Sequence, residues 1–235
     1  MITKNHLIFD ILNVYRSGKQ SDDENISERQ VGFWVDNTRA LLVKRELDKE
    51  NYISSDLIQT IGCVELELVD ASECGCYTVG CKILKTKKPI PKLIENSSRA
   101  MLTRVGPVQI GSTPYALIPY ERAQWVMESR YNIIPKSFLH NGYLYVIPNT
   151  PAMNALKVIS ISGIFESPED LSGFNTCEDG TGDPCFTNDS VFPITNWMIE
   201  PLKDLLFKNN LRVEYQTPAD NLGNANHDIE PNSTK

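Results

Sequence analysis

The hydrophobic residues of this chain change their spacing along the sequence, and that change limits the fold more than any other feature. Near the start, Leu7, Ile8 and Ile11 recur at the spacing of one side of an α-helix. From residue 64 apolar and polar residues alternate, as in VELEL, which is typical of a strand with one solvated face. Helical spacing returns over residues 196–206. This order predicts an α+β fold with a helical start, a β-rich middle and a C-terminal helix.

The clearest local signal is the start of the second helix, in the sequence ISERQV. Ser27 is predicted to cap the helix, and Gln30 to reach back to the cap. Ile26 and Val31 occupy the two positions of a hydrophobic staple. The helix is predicted to continue to about residue 47, because one stripe along it is mostly apolar: Val31, Trp34, Val35, Thr38, Leu41 and Leu42. Asp36 lies off that stripe.

These patterns divide the chain into three parts. Residues 1–52 are predicted to form a hairpin of two antiparallel helices joined by a polar loop. Residues 53–215 are predicted to form an antiparallel β-rich body with a C-terminal helix, in one domain with the hairpin. Within the body, Asn141-Gly142 separates two apolar runs and favours a tight hairpin turn. Residues 216–235 are polar and predict an extended arm that is flexible or docks on a neighbour.

Charge and hydropathy disfavour several classes of partner. The chain has 30 acidic and 23 basic residues and a net charge of −7, which disfavours non-specific binding to phosphate backbones. No apolar stretch approaches the roughly 20 residues that a membrane-spanning helix needs, so we expect no membrane partner. Asp10 interrupts the first apolar run, which therefore does not predict a signal sequence. Without export, disulfide bonds are not expected.

Catalytic motifs are absent from the sequence. GxxxxGK[ST], GxGxxG, HExxH and GxSxG do not occur. His140 would have to support Ser/His or Cys/His chemistry almost alone, and a polar residue at a hairpin end explains it more simply. We therefore expect no enzyme and no catalytic residues, while a hydrolase or transferase that uses His140 or a cysteine stays as an alternative.

Three of the six cysteines fall within ECGCYTVGC, residues 73–81. Zinc requires four converging thiolates or imidazoles, and the candidates are Cys74, Cys76, Cys81 and Cys63. Because their spacing matches no standard zinc template, buried reduced thiols are favoured and no cofactor is expected, with zinc kept as the alternative. A redox pair at Cys177 and Cys185 is disfavoured, since the acidic residues between them raise thiol pKa values.

Several segments along the chain, taken together, carry a resemblance to a known family. They are ISERQV with RALL on the second helix, VGCKILK leading to PIP, SISGIFESP, FPI before the last helix, and TPADN near the C-terminus. With these segments the chain resembles the virion ring proteins of crAss-like bacteriophages, and its helical start is similar to that of the podovirus tail adaptor family. The resemblance extends over nearly the whole chain.

The resemblance implies a structural protein of the virion, assembled in the host bacterial cytoplasm. It implies a homo-oligomeric ring of about twelve copies in the head-to-tail connector. The implied partners are the portal and other tail or ring proteins, with phage DNA passing through the ring. It implies no catalytic residues, and the interface candidates lie in the polar arm: Thr217, Pro218, Asp220 and Asn221. The alternative function is a zinc-stabilised binding or regulatory module built on the cysteine cluster.

Overall fold

The fold is α+β, as the hydrophobic spacing predicted. The computed structural model describes residues 2–16, 26–49, 53–74, 82–96, 99–109, 111–127, 133–177 and 182–211. Within these ranges the α-helices are α1 (Lys4–Tyr15), α2 (Glu28–Lys49), α3 (Ala123–Met127) and α4 (Asn196–Leu206). The predicted arm, residues 216–235, lies outside the described residues, and its conformation stays a prediction.

The two N-terminal helices form an antiparallel pair. Lys4 at the start of α1 contacts Asp36 in α2, while Ile8 contacts Gly32, so the positions along the two helices run in opposite directions. The Oγ of Ser27 accepts a hydrogen bond from the backbone N–H of Gln30 at 3.2 Å and thereby caps α2. The residues of the staple positions, Ile26 and Val31, are buried.

One seven-stranded sheet forms the centre of the fold. Its strand order is β5-β9-β1-β2-β8-β7-β6, and β3 pairs separately with β4. The strands are β1 (Gln59–Asp70), β2 (Lys82–Thr86), β3 (Glu95–Asn96), β4 (Arg99–Ala100), β5 (Leu102–Gly106), β6 (Ala116–Leu117), β7 (Lys136–His140), β8 (Tyr143–Ile147) and β9 (Val158–Gly163). The prediction of an antiparallel middle is wrong for β6 and β7, which are parallel. They run in parallel because residues 118–135, including α3, cross over between them.

The two outer strands of this sheet approach each other. Tyr115, directly before β6, donates its backbone N–H to the carbonyl oxygen of Val105 in β5 at 2.7 Å. The approach is also close at Gly106, where a Cβ would be in van der Waals contact with the Cα of Pro114, 3.4 Å away. The edges of the sheet are therefore partly paired with each other rather than fully open to another chain.

A tight turn joins β7 to β8. Asn141 has φ of 50° and Gly142 has φ of 78°, the left-handed values that a two-residue hairpin turn requires. The turn places His140 opposite Tyr143 and sets the register of the whole hairpin. The predicted hairpin at this dipeptide is present.

Side chains that alternate along the strands form cores on both faces of the sheet. On the first, called here the helix-covered face, strand residues pack in one core with α1, α2 and α4: Ile61, Val64, Leu66, Leu84, Leu144, Val146, Ile159 and Ile161. On the second, called here the α3 face, a smaller core includes Ile83, Ala123, Phe138, Tyr145 and Ile147. The β-rich body is thus enclosed between a thick helical layer and a single short helix.

Candidate functional site

The structure changes the interpretation of the predicted zinc ligands. Cys63 forms a disulfide with Cys177, so the expectation of reduced thiols is wrong for both residues, and Cys63 has no thiolate to offer the alternative zinc site. The pairing joins residues 114 positions apart, a proximity that spacing along the sequence does not show. Cys74 ends a short 3₁₀ helix, whereas Cys76 and Cys81 lie outside the described residues. In the described ranges no three His, Cys, Asp or Glu residues are arranged to hold a metal.

The disulfide lies at a β-bulge in the middle of the sheet. Between its pairings with Ile161 and Ile159, β1 has two residues, Gly62 and Cys63, opposite the single residue Ser160 of β9. The segment that carries Cys177 crosses directly over this bulge. A Cβ on Gly62 would lie 3.4 Å from the backbone nitrogen of Cys177, which is van der Waals contact, so the two backbone segments pack directly on each other.

A third cysteine lies beside the same bulge. Cys185 is half-buried and is a free thiol. Burial raises the pKa of the Cys185 thiol, and a hydrogen bond from the backbone of Gly62 partly offsets that rise. The carbonyl oxygen of Gly62 in turn lies 3.1 Å from the Sγ of Cys177. One residue of the bulge therefore contacts both sulfur atoms.

A cavity of about 400 Å³ opens beside the disulfide and is lined by Cys63 and Cys177. Lys87 and Lys88 also line this cavity. Lys87 forms an ion pair with Glu65 at 2.8 Å, and the Nζ of Lys88 lies 5.8 Å from the centre of the Phe174 ring. The cavity therefore gives a small molecule access to the disulfide past a wall that carries positive charge.

Buried charges join the helical layer to the body. The Nζ of Lys4 is fully buried and bonds to Asp36 at 2.8 Å and to Glu169 at 2.5 Å. Asp36, which lies off the apolar stripe of α2, is buried by these contacts and by Ser167. Burial raises the pKa of Asp36, and the hydrogen bond from Lys4 opposes that rise. The apolar periodicity of α2 predicts a polar position for Asp36. The structure buries Asp36 instead, because its partner Lys4 comes from another helix.

Arg39, one helical turn after Asp36, is also fully buried. It donates hydrogen bonds to the carbonyl oxygens of Phe165 at 2.9 Å and Pro193 at 2.6 Å. Its guanidinium lies 5.7 Å from the centre of the Phe192 ring. Burial lowers the pKa of Arg39 to about 10, which leaves the side chain charged at neutral pH. Arg39 therefore holds α2 against two separate segments of the body.

His140, the histidine considered for catalysis, packs on the α3 face. Its ring stacks on Tyr120 with centroids 3.9 Å apart and an interplanar angle of 11°. Its Nε2 lies 3.1 Å from the side-chain nitrogen of Asn141. These contacts account for His140 as part of the packing between the hairpin and the segment before α3.

The helical layer exposes large aromatic side chains on its outer side. Ile8 and Gly32 face each other across α1 and α2, and the residues that precede them are fully buried. In antiparallel helices the residues after a facing pair rotate to the same side, so Phe9 and Phe33 share the outer side. They are 57% and 64% exposed, and Trp197 at the start of α4 is exposed as well.

A second set of exposed apolar residues lies in the crossover between β6 and β7. Trp125 on α3 is 69% exposed and Ile133 is 83% exposed. Because α3 packs on the α3 face and α1 and α2 pack on the opposite face, Trp125 and the Phe9–Phe33 pair lie on opposite sides of the sheet. Exposed aromatic residues of this kind are typical of protein interfaces.

Comparison with known proteins places this fold in a family. The family model described as phage tail ring protein 2 matches residues 6–229. Ring protein 2 of Bacteroides phage crAss001 is 29% identical over 231 residues, which cover 97% of this chain and 98% of that relative. The resemblance to ring proteins of crAss-like phages is confirmed over helices, sheet and C-terminal region together. The chain belongs to the phage tail ring protein 2 family.

Proposed function

We propose that this protein is a structural subunit of the phage head-to-tail connector, where copies assemble into a closed ring below the portal. The family match over residues 6–229 supports a ring subunit of the virion. The proposed ring contains about twelve copies and surrounds the path by which DNA leaves the head. The proposed partners are further copies of the chain, the portal and other tail proteins.

The observation that carries this proposal is the pair of exposed apolar surfaces on opposite sides of one sheet. A closed ring needs two different surfaces on each subunit, because each copy contacts its two neighbours through unlike faces. Phe9 and Phe33 mark one surface, and Trp125 marks the other. The partial pairing of the outer strands β5 and β6 leaves side-chain packing, rather than strand addition, as the main means of contact.

The net charge is compatible with a channel for DNA. A chain with net charge −7 repels phosphates on average, so a lumen lined by its carboxylates would let DNA pass without holding it. The interface candidates of the C-terminal region remain part of the proposal, as an arm that lies across a neighbouring copy. They are Thr217, Pro218, Asp220 and Asn221.

Native mass spectrometry of the full chain, alone and with added portal, tests the assembly directly. We expect a closed ring at high concentration or after portal addition. Phe33→Glu and Trp125→Glu should each abolish the ring while retaining the far-ultraviolet circular dichroism of the wild type. Arg45→Glu, which is exposed on α2 but lies more than three turns from Phe33 and on another side of the helix, is the matched control and should still assemble.

Mixing the two defective variants tests whether the contact joins unlike faces. Each variant retains one intact surface, so the mixture should form heterodimers through the one junction between wild-type surfaces, and nothing larger. A wild-type chain that stays monomeric at every concentration and with portal would overturn the proposal. Rings that persist in both variants would overturn the assignment of these surfaces.

A further inference from the structure

We propose that Cys63, Cys177 and Cys185 form a thiol–disulfide exchange site that is open to small thiols. In this site Cys185 is the resolving thiol for the Cys63–Cys177 bond. The chain therefore holds one disulfide in either of two arrangements, Cys63–Cys177 or Cys177–Cys185. The exchange does not depend on ring assembly.

The geometry at the bulge of β1 brings the reacting groups together. The backbone of Gly62 hydrogen-bonds the Cys185 thiol, and its carbonyl oxygen lies 3.1 Å from the Sγ of Cys177. Gly62 therefore contacts both groups, which places the Cys185 thiol and the Sγ of Cys177 at the same residue of β1. A disulfide sulfur has no proton to donate, whereas a reduced Cys177 would have an acceptor already in place.

Two backbone pairings hold the segment of Cys177 beside that of Cys185. Asn175 bridges Pro184, and the N–H of Cys185 donates to the carbonyl oxygen of Phe174 at 2.8 Å. The thiol is therefore kept beside the disulfide by the fold and not by chance contact of side chains.

The exchange step is balanced without an external oxidant. The Cys185 thiolate attacks the Sγ of Cys177, and a new Cys177–Cys185 bond forms. The Cys63–Cys177 bond breaks, and its electron pair leaves on the Sγ of Cys63. Cys63 then takes up one proton, equal to the proton that Cys185 gave up. One disulfide and one thiol are present before and after.

The adjoining cavity gives a small thiol a route to the Cys63–Cys177 disulfide. Its wall includes both sulfur-bearing residues, Cys63 and Cys177, together with Lys87, Lys88 and Glu65. The two cations outnumber the single carboxylate, and nearby positive charge favours a departing thiolate. A low-molecular-weight thiol in this cavity would attack the disulfide by the same chemistry as Cys185.

Exchange would move the covalent link from one part of the fold to another. Cys63–Cys177 joins the central strand β1 to a segment 114 residues away. Cys177–Cys185 would instead lie within that segment and free β1 from it. The two arrangements thus differ in whether the sheet is covalently joined to the segment that covers its helix-covered face.

Removing Cys63 isolates the proposed resolving step. The full chain carrying Cys63→Ser is treated with oxidised glutathione, which should attach one glutathione to Cys177 with release of reduced glutathione. Cys185 should then displace the attached glutathione and form Cys177–Cys185. In Cys63→Ser/Cys185→Ser the glutathione should remain on Cys177. Cys63→Ser/Cys74→Ser is the matched control and should behave like the single variant.

Intact mass and peptide mapping after alkylation distinguish the outcomes, with circular dichroism to confirm that each variant is folded. A Cys63→Ser chain that retains glutathione as fully as the Cys63→Ser/Cys185→Ser chain would overturn the role of Cys185. A Cys63→Ser chain that forms neither a glutathione adduct nor a Cys177–Cys185 disulfide would overturn the claim that small thiols reach the site. The wild-type chain in a mixture of reduced and oxidised glutathione should yield the Cys177–Cys185 peptide, and its absence while Cys63–Cys177 persists would overturn the exchange.

Discussion

The two faces of the sheet are stabilised in different ways. The helix-covered face has a large apolar core, the buried charges of Lys4, Asp36 and Arg39, and the covalent link at β1. The α3 face has a small core in which aromatic rings stack, with Phe138 and Tyr145 centroids 5.1 Å apart. Each sheet face is built from alternate residues of the same strands, so the strands alone do not set this difference. It follows from the segments that cover each face.

The difference indicates which side of the molecule tolerates change. Buried charges with partners on several segments require one arrangement of those segments, because an unpaired buried charge is costly. A small aromatic core with a short helix and an exposed Trp125 has fewer such requirements. We therefore expect substitutions on the helix-covered face to reduce folding stability more than those at the β7–β8 turn.

The largest effect is expected for Arg39→Ala. This change removes the hydrogen bonds to the carbonyl oxygens of Phe165 and Pro193 and takes a positive charge away from Asp36. Breaking a buried ionic group costs about 3–5 kcal/mol of unfolding free energy, measured by urea denaturation. Arg29→Ala on the exposed side of the same helix is the control and should change it by less than about 0.5 kcal/mol. Equal effects would contradict the role of the buried charges.

The next effect concerns the covalent link. Cys63→Ser/Cys177→Ser opens a loop of more than a hundred residues, which should lower the unfolding free energy by about 2–4 kcal/mol. Because a reductant breaks the same bond, the wild type and the variant should become equally stable after reduction. Urea denaturation with and without dithiothreitol measures both values. A wild type that is no more stable than the variant without reductant would show that the bond is absent or contributes nothing.

A smaller effect is expected at the turn between β7 and β8. Gly142→Ala places a side chain at φ of 78°, where the new Cβ would meet Pro89 only at ordinary contact distance. The cost is therefore backbone strain alone, about 1 kcal/mol. Gly173→Ala has open space around its Cβ and should be nearly neutral. Thermal unfolding of the two variants compares them, and a destabilisation as large as that of Arg39→Ala would contradict backbone strain as the whole cost.

The smallest effect is a change in pH dependence at Asp36. Burial raises its pKa above the ordinary value of 3.8, so the folded state holds this proton at pH values where the unfolded chain has lost it. The stability that this proton contributes is present at low pH and is lost as pH rises through the pKa of the folded state. Relative to Asp36→Asn, the wild type should therefore lose stability as pH rises from the unfolded value of 3.8 through the raised pKa of the folded state. Urea denaturation of both proteins at several pH values measures this. An unfolding free energy of the wild type that rose with pH relative to that of Asp36→Asn would contradict the prediction.

Local patterns determined much of the fold in advance. The cap at Ser27, the period of the apolar residues and the Asn141-Gly142 dipeptide act over a few residues, and helices and the hairpin form where they indicate. The segments that resemble crAss-like phage proteins also pointed to the ring family that the comparison shows. These features are readable because their physical causes, backbone hydrogen bonds and allowed φ values, lie within one turn of the chain.

Only the tertiary structure decided the contacts between distant residues. Asp36 lies off the apolar stripe of its own helix, and it is buried because Lys4 of α1 and Ser167 of the body bond to it. Cys63 and Cys177 are joined because the bulge of β1 lies under a segment 114 residues away. Parallel pairing of β6 with β7 depends on the crossover through α3. In each case the contact stabilises the fold only when a partner distant in the sequence lies beside it. Sequence spacing does not reveal that partner, and only the folding of the whole chain brings the two together.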